Sequence, residues 1–73
     1  MERRHNMTIY RVDTKMENPD REHHDLYTNY DDAMSNYNGV KNNQDCKSIE
    51  VTRLEDTEDF SRFEEVEIVA SYS

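Results

Sequence analysis

The apolar positions of this chain fall into segments whose spacing changes along its length. Thr8-Ile9-Tyr10-Arg11-Val12-Asp13 is rich in β-branched and aromatic residues and predicts a first strand from Met7 to Lys15. Its two faces are blurred, because Ile9 lies opposite Tyr10 and Val12. Glu17 to Asp25 is polar and opens on Asn18-Pro19-Asp20, strong turn chemistry, so it is expected to be a loop. A short return strand from His23 to Tyr27 is the alternative there.

Thr28 to Gly39 carries the clearest helical pattern. Tyr30, Ala33, Met34 and Tyr37 recur at the i, i+3, i+4, i+7 spacing of one buried face. Thr28 is placed to cap the helix, with Asp31 at the position of a capping box and Asp31 and Asp32 in the first turn, where the helix dipole favours negative charge. Gly39 suits a left-handed terminator with Val40 folding back on the last turn. Asn38-Gly39 as a hairpin turn is the competing reading, and the helical spacing before it argues against that.

Lys41 to Lys47 is a polar connector. Ser48 to Leu54 alternates and predicts a second strand, with Ile49 and Val51 on one side and Glu50 and Thr52 on the other. Glu55 to Ser61 reads as an acidic connection that holds a short helical turn packed by Phe60. Phe63 to Tyr72 predicts a third strand, with Val66, Ile68, Ala70 and Tyr72 on one face and Glu65, Glu67, Val69 and Ser71 on the other. The expected fold is therefore α+β, a single small domain in the order β-α-β-β: a three-stranded sheet with one helix packed on one face. If the first two strands are parallel, the crossover is right-handed, and the apolar third strand sits between them, antiparallel to both. The uncovered face would then display Glu50, Thr52, Glu65 and Glu67.

Length and charge sharpen this outline. Seventy-three residues hold one domain, 1–73, with Met1 to Asn6 expected to fray. Val, Ile, Leu and Phe together number twelve, and the net charge is −8, so the core is thin and disorder competes with folding. The periodic segments and the single Pro and single Gly favour order. Seventeen acidic residues against nine basic ones repel nucleic-acid phosphates and anionic membranes, so neither is expected as a direct partner. The N-terminal stretch has two arginines with no apolar run behind them, which fits neither a secretory nor a membrane segment. Cys46 is the one cysteine and cannot form an intrachain disulfide, which fits a reducing cytoplasm. Asn6-Met7-Thr8 matches a glycosylation sequon by chance on this reading.

Catalytic chemistry is sparse. One Gly cannot build a phosphate-cradling loop, there is no Cys/His finger spacing, and nothing resembles a nucleophile elbow. No enzyme activity and no cofactor are expected. His23-His24 among nearby carboxylates suggests a metal-responsive module. Adjacent residues of an extended chain point to opposite sides, however, so an exposed polar loop is the plainer reading. The acidic tract stands out more: Glu55, Asp56, Glu58, Asp59, Glu64, Glu65 and Glu67 are set against Arg62 alone. A solvated face explains part of that bias. Concentrated like charge costs stability through self-repulsion, which a cationic partner would relieve. The tyrosines nearby are the residue type that anchors protein interfaces.

In size, acidity, lack of motifs and β-α-β-β outline, the chain resembles the small acidic proteins that bacteriophages make early in infection. That resemblance implies a protein in a host cytoplasm that binds and blocks a host enzyme or DNA-binding protein, and in some such proteins carboxylates imitate nucleic-acid charge. It transfers no residues. The leading expectation is a protein-binding module, an inhibitor or modulator that occupies a basic surface, such as that of a bacterial DNA- or RNA-binding protein. The competing expectation is a structural or accessory subunit that forms a homodimer through a sheet edge or a tyrosine face.

Overall fold

The computed structural model describes residues 7–56 and 63–73. The elements are β1 (Thr8–Met16), β2 (Arg21–Tyr27), α1 (Tyr30–Lys41), β3 (Cys46–Asp56) and β4 (Phe63–Tyr72). They form an α+β fold with one helix on one face of a four-stranded sheet, ordered β2-β1-β3-β4, with every neighbouring pair antiparallel.

The expected three-stranded sheet is thus corrected to four strands. The polar stretch after Pro19 is a full strand, β2, paired along its length to β1 from Tyr10↔Tyr27 to Met16↔Arg21. The turn before it holds Asn18 at φ 68°, a left-handed conformation that asparagine tolerates. This extra strand also reverses the direction of β3. The chain runs along β1, returns along β2, and is carried back by the helix, so β3 runs with β2 and against β1. The first and second predicted strands are therefore antiparallel neighbours at the centre of the sheet. The predicted third strand, β4, is an edge strand, not the central one.

The helix begins one residue later than Thr28 implies. Asn29 is the cap: its side-chain oxygen accepts from the Asp31 N–H at 2.7 Å and the Asp32 N–H at 3.2 Å. Gly39 lies inside the helix with an ordinary negative φ, and the helix closes at Asn42, whose side-chain amide donates to the Asn38 carbonyl at 3.0 Å. Ala33 and Tyr37 are buried from the predicted stripe and Met34 is half-buried. Tyr30 is about half exposed and meets Tyr10 edge-to-face at 5.6 Å.

The core is a single cluster of Val12, Ala33, Tyr37, Ile49 and Val51 between helix and sheet. Fully burying Val12, Ile49 and Val51 contributes about 1.5–3 kcal/mol each. The helix packs on β3, β1 and β2 and leaves the far half of β4 uncovered. The molecule is consequently elongated, 53 × 21 × 15 Å, with a radius of gyration of 14.1 Å, against about 11 Å for a compact chain of this length. Among the described residues, no helix is long and apolar enough to cross a membrane.

Candidate functional site

The faces of the sheet follow from its register. Val12, Ile49 and Val51 point toward the helix, and so do Tyr10, Thr14 and Arg53, which stand two residues along on the same strands or opposite them. The other face carries Ile9, Arg11, Asp13 and Lys15 from β1; Glu22, His24 and Leu26 from β2; and Ser48, Glu50, Thr52 and Leu54 from β3.

On β4 the simple alternation fails. Ala70 pairs with Val51, Ile68 with Thr52, Glu67 with Arg53 and Glu65 with Leu54, so Val69 and Val66 are skipped at two register shifts. Each bulge flips the phase of the strand. Ser71, Ile68 and Glu65 therefore share the open face, while Tyr72, Ala70 and Glu67 share the helix face. The expected grouping of Val66, Ile68, Ala70 and Tyr72 is corrected accordingly. Glu50, Thr52 and Glu65 do lie on the open face, and Glu67 does not.

The described carboxylates of the predicted tract gather at the distal end of the β3–β4 hairpin. Glu55 stands opposite Glu64, and Asp56 opposite Phe63. Glu58 and Asp59 lie outside the described residues. The gathered carboxylates are divided between the two faces and partly neutralised. On the helix side, Arg53 donates to Glu55 and, at 3.1 Å, to Glu67. On the open side, Arg11 donates to Glu65 at 2.8 Å. These bonds, Glu67 first for Arg53 and Glu65 first for Arg11, raise both guanidinium pKa values. Asp56 and Glu64 make no ion pair among the described residues. Glu64 directly opposite Glu55 is a like-charge cross-strand pair, an arrangement that destabilises a sheet. Beside these carboxylates Phe63, Val66 and Ile68 are exposed.

A second polar constellation occupies the open face, and sequence reasoning missed it. His24 Nδ1 lies 2.7 Å from Asp13, Arg11 Nε donates to the same carboxylate at 2.8 Å, and Glu22 stands 3.6 Å from the far nitrogen of His24. The chain Glu22–His24–Asp13–Arg11–Glu65 therefore crosses the sheet from the β2 edge to the β4 edge. Partial burial pushes the Asp13 pKa up, but the bonds from His24 and Arg11 together outweigh it and hold the carboxyl below its usual range. The bond to Asp13 raises the His24 pKa. A shallow depression of about 330 Å³ beside this chain is lined by Asp13, Lys15, Glu22, His24, Ser48 and Glu50. The signal available in the sequence was the pairing Arg11-x-Asp13, repeated as Arg53-x-Glu55: on a strand, residues two apart share a face.

His23 and His24 pair with Thr14 and Asp13, consecutive residues of β1, and so point to opposite faces. Among the described residues no three His, Cys, Asp or Glu side chains are grouped to hold a metal ion. Cys46 is half-buried and its thiol pKa is pushed up by that burial, the opposite of an activated nucleophile. The chain matches no protein-family model, no curated protein and no solved structure.

Proposed function

We propose that this chain is an acidic protein-binding module, an inhibitor or modulator that occupies a basic surface of another protein, with the distal β3–β4 hairpin as its first point of contact. What supports the reading is the composition of that hairpin end. Glu55, Asp56, Glu64, Glu65 and Glu67 meet two arginines, leaving an acidic excess beside exposed Phe63 and Val66. Unpaired carboxylates attract a cationic partner and speed encounter, and apolar side chains between them supply the area that holds it. Glu64 faces Glu55, whose charge Arg53 already offsets in part, and a bound cation would relieve what repulsion is left. In the finer form of the proposal the carboxylates stand in for nucleic-acid phosphates on a bacterial DNA- or RNA-binding protein.

Affinity capture from a bacterial lysate at low and high salt tests the reading. The expected result is recovery of a basic protein that high salt releases and that an Asp56→Asn/Glu64→Gln variant captures less well. Recovery of no basic protein, or capture indifferent to salt, removes it.

A further inference from the structure

We infer that the outer edge of β2 is a homodimer contact, where two copies of the chain pair antiparallel about a two-fold axis through His23 and join their sheets into one. The acidic-module reading neither requires nor excludes this, because the hairpin ends lie outside the contact.

β2 and β4 are the two edges of the sheet, and β2 is the regular one. It pairs with β1 without a bulge from Tyr27 to Arg21 and holds neither Pro nor Lys, two common devices that block an edge. β4 is interrupted twice. Among the described residues, the outward amide and carbonyl groups of β2 have no backbone partner, and every residue of the strand except Tyr27 is exposed. A strand added at this edge would complete the ladder.

The charges along β2 select which strand. Arg21 and Asp25 make no ion pair among the described residues. They share the helix face with His23 midway between them, while Glu22 and His24 flank His23 on the open face. In an antiparallel pair, opposite residues share a face. A two-fold axis through His23 therefore sets Arg21 opposite Asp25 and Glu22 opposite His24, each twice. All four contacts join opposite charges once His24 is protonated, the form that its bond to Asp13 favours. Shifting the axis to His24 would set that histidine, already bonded to Asp13, against its own copy. Shifting it to Glu22 would set Arg21 against His23. The strand is thus complementary to itself in one register, as an isologous contact requires. Each copy carries a net charge of −8, but the acidic hairpin ends would stand on the two outer edges. Seven strand spacings separate those edges, about 34 Å, against a Debye length of about 8 Å at physiological salt.

Sedimentation equilibrium of the full chain, with Arg21→Asp and Asp25→Arg variants, tests the inference. The parent chain is expected to form a dimer, and each single variant, which sets like charges opposite each other, should weaken it about tenfold. The double swap Arg21→Asp/Asp25→Arg should restore it, and so should an equimolar mixture of the two single variants, whose charges complement across the axis. Amide NMR shifts between dilute and concentrated samples should centre on Arg21 to Asp25. A chain that stays monomeric at about 1 mM overturns the inference. A dimer indifferent to the swaps, or concentration-dependent shifts on the open face or β4 in place of β2, also overturns it. Each of these outcomes leaves the lysate capture to decide the acidic-module reading separately.

Discussion

His24 on β2 and Asp13 on β1 are direct cross-strand partners, and their side chains meet at 2.7 Å on the open face of the sheet. The bond favours the charged form of each. His24 is held above its ordinary 6.5, so its contribution to folding is complete below about that pH and is lost as pH rises through the raised value. Asp13 is held below its ordinary 3.8 despite its partial burial, so its contribution is complete above about that pH and is lost as pH falls through the lowered value. The pair therefore stabilises the fold most between the two. NMR titration is expected to place His24 above its ordinary value, and Asp13→Asn should lower it again. An unchanged His24 titration in that variant would show that the bond does not form in solution.

Two adjacent residues at the N-terminus of α1 give opposite expectations. Asn29→Ala removes the acceptor for two orphan N–H groups and should cost about 1 kcal/mol, while Thr28→Ala should be near neutral. Urea unfolding of the two variants separates the caps, and a larger loss at Thr28 would reverse the assignment.

Gly39 is helical, and a Cβ there meets nothing within 4 Å. Gly39→Ala should therefore stabilise the protein by about 0.5–1 kcal/mol. Were Gly39 a left-handed terminator, the same change would destabilise, so the sign of the shift in thermal midpoint decides.

Glu64→Gln tests whether the hairpin carries stored repulsion. Removing the charge opposite Glu55 should stabilise the free protein by about half a kcal/mol, less at high salt, and should weaken capture of a basic partner. A variant that is both less stable and equally competent in binding would remove the link between charge and function.

The core expectation is simpler. Ile49 is 1% exposed in a five-residue cluster, and Ile49→Ala should cost about 2–5 kcal/mol. In a domain this small that approaches the whole stability, so a fully retained denaturation midpoint would mean that the cluster is not the core.

How far these features were legible depended on local pattern. The helix stripe and the alternation of Ile49 and Val51 were legible because both faces of those elements have contrasting surroundings. β2 was obscured because Arg-Glu-His-His-Asp precedes its first apolar residue, Leu26: an edge strand with one face open to solvent and little helix above the other has no need of alternation. The bulges at Val66 and Val69 were invisible because β4 alternates well on paper, and only pairing with β3 reveals the skipped residues. The acidic tract was plain as composition. Its partition was not, since Arg11 lies far away in sequence and reaches Glu65 only once β1, β3 and β4 are assembled.

The same two skipped valines bear on how the molecule behaves when concentrated. An incoming strand needs an unbroken ladder of amide and carbonyl groups to extend a sheet, and β4 interrupts its ladder twice within ten residues while lining its first half with glutamates. The outermost edge on that side is thereby a poor template for fibrillar growth, even though Val66 and Ile68 beside it are exposed.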